Sequence, residues 1–172
     1  NGDGSFAFRR GTAADPPVLS YSMYIDTSGK VGIGIAAPVS TTHIYENTTA
    51  TDSSAGLTIE QAGTGDAILQ FLETGTQRWV VGLDNSDSDK FKISSDGDLN
   101  SNARLTIDTS GKVGIGNTSP DGTLHIQTAT AGSITAPSTA DDLVIEGSTT
   151  PGVSILMPNN GVGRYGFGVV ED

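Results

Sequence analysis

The sequence contains no cysteine and few bulky hydrophobic residues. Without cysteine the chain has neither a disulfide framework nor a thiolate site, and its redox compartment stays open. Leu, Ile, Val and Phe make up only 39 of the 172 residues, whereas Gly, Ser and Thr supply 62. Such a chain has little side-chain volume for a core of its own, and oligomerisation is a usual remedy. We therefore expect the core to be shared between chains.

Positive charge is also scarce, with nine Lys and Arg residues against 20 Asp and Glu and a net charge of -11. Nucleic acids and anionic membrane surfaces attract basic proteins, so we expect neither as a partner. Since no apolar run approaches the roughly 18 residues of a spanning helix, no membrane insertion is predicted. The sequence also lacks a nucleophile elbow, a phosphate-binding loop and a zinc-protease motif. We predict a protein that is not an enzyme and binds no cofactor.

One ten-residue phrase occurs twice in the chain. "IDTSGKVGIG" runs from Ile25 to Gly34 and returns unchanged from Ile107 to Gly116. When both copies are extended to 20 residues without a gap, 14 positions match. Further on, "LTIE" at 57–60 matches "LVIE" at 143–146 after a four-residue insertion. A fixed period of this kind indicates structural units that share interfaces.

The period predicts tandem β units of about 86 residues. The expected divisions are 1–24 for the end of a preceding unit, 25–106 for the first repeat and 107–172 for an incomplete second repeat. Because the chain starts at Asn1 and stops within an apparent strand, we expect it to be a piece of a longer repetitive polypeptide.

The apolar residues follow a strand pattern, and no segment has a convincing helical period. The predicted fold is all-β, with strands in "KFKIS", "RLTID", "KVGIG", "LHIQ", "GLTIE", "AILQFLE" and "RWVVGLD". In "AILQFL" both alternating sets contain large apolar residues. We therefore expect this strand to be buried on both faces, one of them by a neighbouring chain.

Short turns are predicted to connect these strands. The Thr-Ser-Gly triplets at 27–29 and 109–111 should turn the chain back, with Gly29 and Gly111 at positive φ. The residues from Glu73 to Thr76 should close a hairpin between the flanking apolar runs.

The duplicated phrase also predicts a structural joint. A glycine inside a strand commonly marks the close approach of another backbone, although a bulge or a turn is the alternative. The unchanged duplication favours the joint, which comprises Gly29, Gly32, Gly34, Pro38 and His43 in one copy and Gly111, Gly114, Gly116, Pro120 and His125 in the other. For the two histidines we expect packing or hydrogen bonding rather than catalysis. An anion, water or metal held by three imidazoles on an axis stays open as an alternative.

The acidic segment from Asp84 to Asp98 invites comparison with a calcium loop. Asn85, Asp87 and Asp89 fit the first alternating ligand positions, but Lys90 replaces the glycine that the sharp turn requires. Because an apparent strand also interrupts the segment, we favour aspartate turns between strands and predict no metal.

Trp79 and Tyr165 occupy one repeat position, preceded by Arg78 and Arg164. An aromatic ring beside arginine is suited to stacking on a sugar. Its recurrence in the middle of a strand favours an anchor in the core or between chains.

The segment "LTIDTSGKVGIGNTSPDGTLHI" (Leu105 to Ile126) resembles a phrase that recurs in bacteriophage tail fibres and tail spikes. The phrase is especially common in those that end in an endosialidase-type intramolecular chaperone domain. Its usual form is close to L-x-I-D-x-x-G-N-V-G-I-G-T-x-S-P-x-x-x-L-H-V, from which this copy departs at Lys112, Asn117 and Ile126. The stretch from Asp66 to Ser94 also resembles the segment that precedes this phrase in such proteins. Together the similarities cover most of residues 57–126, and the phrase carries no catalytic residues.

What the resemblance implies is an intertwined, parallel, homotrimeric β-fibre on the outside of a virion. Its partners would be two copies of itself and other tail or fibre proteins. We therefore expect a structural shaft segment of a trimeric phage tail fibre that positions a host-recognition tip. Three alternatives stay open: a module that binds a host cell-surface polysaccharide, a trimeric adhesin of a cell, and a polysaccharide depolymerase.

Overall fold

The computed structural model describes residues 4–11, 19–49, 51, 56–75, 77–132, 136 and 141–149. These residues form eleven β-strands and one 3₁₀ turn but no α-helix, which confirms the predicted all-β fold. The chain divides into two compact units, Asn1–Thr58 and Ile59–Asp172. One sheet lies in each unit.

The sheet of the first unit has four strands in chain order. They are β1 (Phe6–Gly11), β2 (Leu19–Ile25), β3 (Val31–Ile33) and β4 (Thr42–Ile44). The pairs β1–β2 and β2–β3 are antiparallel, whereas β3 and β4 run parallel.

The sheet of the second unit has seven strands, also neighbours in chain order. They are β5 (Ala67–Glu73), β6 (Gln77–Asp84), β7 (Lys90–Ser94), β8 (Ala103–Ile107), β9 (Val113–Ile115), β10 (Leu124–Gln127) and β11 (Leu143–Glu146). Each pair from β5 to β9 is antiparallel. The pairs β9–β10 and β10–β11 are parallel.

An aspartate and a glycine make the same tight turn in both copies of the phrase. The Oδ1 of Asp26 accepts hydrogen bonds from the backbone N–H groups two and four residues later, at 2.8 and 2.9 Å. Asp108 does the same at 2.9 and 2.9 Å. Gly29 and Gly111 follow with φ of 80° and 86°, a conformation that costs glycine little. The turn is therefore fixed by local sequence.

The remaining glycines of the phrase allow the chain to pack against itself. A Cβ on Gly32 or Gly114 would overlap the backbone oxygen three residues later. A Cβ on Gly34 or Gly116 would overlap a backbone oxygen at the end of the next strand, and both residues have positive φ. The backbone that approaches these glycines thus belongs to the same chain.

The parallel strands in the two copies are joined by short loops. Eight residues, 34–41, connect β3 to β4, and eight, 116–123, connect β9 to β10. A parallel crossover usually needs a dozen residues or more. Eight suffice here because a three-residue strand is only about 10 Å long. The prolines Pro38 and Pro120 are buried within these loops.

The strand predicted in "GLTIE" is wrong, since residues 56–60 form no strand. The counterpart of its last four residues, β11, pairs with β10. Leu57 and Ile59 instead remain exposed. Because these side chains are not buried, no hydrophobic stabilisation offsets the conformational entropy that the segment would lose as an ordered strand.

Gly116→Ala should lower the thermal unfolding midpoint more than Gly111→Ala. Both residues have positive φ, so each alanine bears a strain of about 1–2 kcal/mol. Only at Gly116 would the new Cβ also overlap a backbone oxygen, and overpacking typically adds about 1–3 kcal/mol. Calorimetry at one fixed chain concentration measures both midpoints. Equal midpoints would contradict the close packing at Gly116.

Candidate interaction surface

One face of the seven-stranded sheet is apolar from edge to edge. Residues paired across neighbouring strands point to the same side of a sheet. One row on this face contains Leu83, Phe91, Ile107, Val113, Leu124 and Leu143. A second row contains Leu69, Val81, Ile93, Leu105, Ile115, Ile126 and Ile145. The paired residues Phe71 and Trp79 lie beside this row on the same face. We call these residues the apolar face.

The described residues leave the apolar face uncovered. Among the described strands of the second unit, eight large hydrophobic side chains are exposed, and all but Leu72 lie on this face. Phe71 is 58% exposed and Leu143 is 54% exposed. A monomeric protein rarely leaves so continuous an apolar surface in water, and such a surface generally marks an interaction site.

The four-stranded sheet has an apolar face of the same construction. Its rows contain Phe6, Ile25 and Val31, and Phe8, Met23, Ile33 and Ile44. Phe6 and Phe8 are each 55% exposed, and their rings meet edge to face at 5.0 Å. In each unit the described residues thus leave an apolar sheet face uncovered.

The middle of the opposite face of the seven-stranded sheet is polar and buried. Between Ile68 and Val144 at its ends, a row across this face contains Gly82, Lys92, Thr106, Gly114 and His125. Lys92, Thr106 and His125 are each at most 2% exposed. Among the described residues, only Val80 and Leu99 are buried large hydrophobic residues. The usual arrangement of a sheet, with its apolar side inward, is therefore reversed.

Lys92 is the centre of a buried ionic cluster on this polar face. Its Nζ lies 2.7 Å from Asp84 Oδ2 and 2.6 Å from Asp87 Oδ2. Asp87 belongs to the 3₁₀ turn Asn85–Asp87, which Asp84 caps by accepting the Asp87 N–H at 3.1 Å. Lys90 donates to Asp87 Oδ1 at 2.9 Å and to the Thr118 carbonyl at 2.8 Å. These bonds tie the 3₁₀ turn and the 116–123 loop to β7.

The cluster keeps its groups ionised. Burial works against the charge of Asp84, but hydrogen bonds from Lys92 and Ser86 hold its pKa below the usual value. Burial is likewise outweighed at Asp87, where hydrogen bonds from Lys92 and Lys90 lower the pKa. Burial also opposes the charge of Lys92, yet the two carboxylates raise its pKa above 10.5. A paired set of charges of this kind is structural rather than reactive.

His125 fastens the second crossover loop to the sheet. Its Nδ1 accepts the backbone N–H of Asp121 at 3.3 Å and lies 3.0 Å from Asn117 Nδ2. Since Nδ1 accepts, Nε2 carries the proton and donates to Glu146 Oε2 at 3.0 Å. The hydrogen bond from the N–H of Ala131, supported by the side chains of Gln127 and Thr130, holds the pKa of Glu146 below its usual value.

His43 occupies the corresponding place in the first unit. Its Nδ1 accepts the N–H of Val39 at 3.5 Å, and Val39 follows Pro38 as Asp121 follows Pro120. In both units the histidine therefore binds the loop that precedes its strand. These contacts give each ring a hydrogen-bonding role.

The structure separates the predicted arginine and aromatic pair. Trp79 lies on the apolar face beside Phe71, whereas Arg78 points to the other side and lies against Gly97. The two side chains therefore do not form one sugar-binding platform. Their predicted counterparts Arg164 and Tyr165 lie outside the described residues.

The acidic segment contains turns as well as the ionic cluster. Asp96 and Asp98 accept the backbone N–H groups of Gly97 and Ser101, each at 2.6 Å. Within the described part of the chain, no group of three or more His, Asp or Glu side chains is placed to hold a metal. None of the described helices is long and apolar enough to cross a membrane.

Sequence reasoning missed the buried lysine. In "KFKIS" the lysines alternate with Phe91 and Ile93, a pattern that ordinarily places lysine in water. A signal was nevertheless present, because aspartates crowd the end of the preceding strand and supply partners for an inward-pointing ammonium group.

No protein-family model matches the chain, and no curated protein shows significant similarity to it.

Lys92→Met should lower the free energy of unfolding by about 3–5 kcal/mol, because it leaves Asp84 buried without its main cationic partner. The matched control is Thr106→Val, a change at the next position of the same row. The Thr106 hydroxyl is buried and has no hydrogen-bond partner, so its removal should leave stability unchanged or raise it. Urea denaturation followed by Trp79 fluorescence measures both variants. A Lys92→Met variant as stable as the parent would contradict the role of the ion pairs.

Proposed function

We propose that this chain is a structural shaft segment of a homotrimeric phage tail fibre, which positions a host-recognition tip outside the virion. The observation that carries the proposal is the uncovered apolar face that recurs on the sheets of both units. In the assembled fibre, each chain covers this face with the apolar faces of two further copies.

The energetics favour self-association. Full burial of a Leu, Ile or Phe side chain is worth about 1.5–3 kcal/mol, so covering one that is half exposed contributes about 1 kcal/mol. The seven exposed side chains on the apolar face of the second unit thus contribute several kcal/mol for each chain. The first unit adds four more, Phe6, Phe8, Ile33 and Ile44. Because both units carry such a face, the contributions add up along the fibre.

Charge limits the alternatives for what covers this face. The chain carries a net charge of -11, which disfavours nucleic acid and anionic membrane surfaces. Identical chains also repel one another through this charge, so the contact between them has to be apolar. The apolar rows of the described strands contain no charged residue, which suits a contact between like-charged copies.

The number three and the virion location come from the resemblance of the duplicated phrase to phage tail fibres and tail spikes. The same resemblance makes other tail or fibre proteins the expected partners at the ends of the shaft. The buried ionisable side chains, which are those that could take part in a reaction, support a structural role rather than an enzymatic one. Lys92, Asp84 and Asp87 are bonded to one another, and His125 is bonded to its own loop and to Glu146.

Ile115→Lys tests the proposal, because it places a charge at the centre of the apolar face. Ile115 is 43% exposed in the single chain, so the fold should survive while the assembly fails. Ser119→Lys, on the exposed part of the nearby loop, is the matched control. Light scattering should give the mass of one chain for Ile115→Lys and of three chains for Ser119→Lys, with equal circular dichroism. An Ile115→Lys variant that remains trimeric would contradict the proposed interface.

A further inference from the structure

Among the described residues, none pairs with the outer edge of β4, whereas its counterpart has a strand there. In the second unit β10 pairs with β9 on one side and with β11 on the other. In the first unit β4 is the last described strand of its sheet and pairs with β3. An open edge offers hydrogen-bonding groups to any extended chain, and proteins usually cover such an edge.

The strands β4 and β10 are otherwise built alike. Val31 pairs with Thr42 and Ile33 with Ile44, as the corresponding residues of β9 and β10 do. The N–H of Val31 donates to the Thr41 carbonyl at 2.8 Å, and the matching bond in the second unit measures 2.9 Å. An edge of the same shape is therefore available in the first unit.

The chain carries a matching sequence at the right distance. "LTIE" at 57–60 corresponds to "LVIE" at 143–146, the residues of β11. In the single chain the Gly56 N–H donates to Glu46 Oε2 at 2.8 Å, which holds the start of this segment near the C-terminal end of β4. Pairing in the register of β11 therefore requires this bond to break. Leu57 lines one open cavity of about 410 Å³ together with Ile44, Tyr45 and residues of β1, β2 and β3.

We propose that Leu57 and Thr58 add to β4 as a parallel strand when the chains assemble, with Leu57 beside Thr42 and Thr58 beside His43. The register is that of β11 on β10, where Leu143 lies beside Leu124 and the next residue lies beside His125. The inference rests on the proposed function, because Leu57 then joins the apolar face of the four-stranded sheet. In the single chain Leu57 is 68% exposed. Its burial against partner chains offsets the conformational entropy that Leu57 loses when the strand forms.

One difference between the units limits where the pairing begins. Ser40 occupies the position of Gly122, where a Cβ would overlap the Asp141 carbonyl that lies just before β11. The segment before Leu57 must therefore approach β4 from another direction. Gly56, with φ of 87°, allows the chain to turn at that point. Pairing consequently starts at Leu57.

The absence of cysteine permits a direct test by cross-linking. Thr42→Cys with Leu57→Cys places two thiols on the proposed neighbours. Leu124→Cys with Leu143→Cys is the matched calibration, because those residues are paired in the second unit. Under mild oxidation, trimers of the first double variant should form a disulfide within each chain as readily as the calibration pair does.

The outcomes separate the inference from the proposed function. A trimeric mass with a disulfide in the calibration pair but none between positions 42 and 57 would overturn the inference alone. A disulfide that joins two chains would show that the segment beside β4 belongs to a neighbouring chain, and it would overturn the inference that each chain uses its own segment. The mass of a single chain would overturn the proposed function and the inference together.

Hydrogen exchange on the unaltered chain gives a second readout that needs no cysteine. In the second unit the Leu124 N–H donates to the Asp142 carbonyl, so in the same register the Thr58 N–H would donate to β4 and the Leu57 N–H would point away. The amide of Thr58 should therefore be protected in the trimer and should exchange rapidly in the Ile115→Lys chain. Rapid exchange of the Thr58 amide in the trimer would contradict the added strand.

Discussion

The uncovered apolar face is the constraint on which the rest of the structure depends. A sheet normally turns its apolar side toward the core of its own chain, and here the loops cover the polar side instead. Lys92, Thr106 and His125 occupy the positions that Leu or Val would take in an ordinary core. A single chain of this kind is short of hydrophobic stabilisation, which in the proposed fibre additional copies would supply.

The glycines of the duplicated phrase determine which face the loops cover. Gly114 lies in the buried polar row, and only a residue without a Cβ lets the 116–123 loop lie directly on the sheet there. Gly32 gives the first unit the same contact. Once a loop is held against the polar side by His125 or His43, the apolar side remains free. The phrase thus positions the proposed interface and also supplies apolar residues to it, such as Val113 and Ile115. A second copy of the phrase reproduces that surface.

Local sequence was sufficient to predict the strands β5 to β10 and the turns of the duplicated phrase. Alternation of apolar residues marks strands such as "RLTID", and the positive φ of Gly29 and Gly111 follows from a short turn between them. The strand expected at 56–60 was wrong, because a strand needs a partner edge as well as a suitable sequence. The buried Lys92 was missed for a related reason. Which side of a sheet is covered depends on loops that return from elsewhere in the chain, and alternation alone does not encode it.

The most direct test of the account is the absolute mass of the unaltered 17.6 kDa chain in solution, measured by light scattering over a wide range of dilution. The account predicts a species of three times that mass which resists dilution, because the apolar faces have no other cover. A folded species with the mass of one chain would contradict it. The exposed rows of both sheets would then be stable in water without partners.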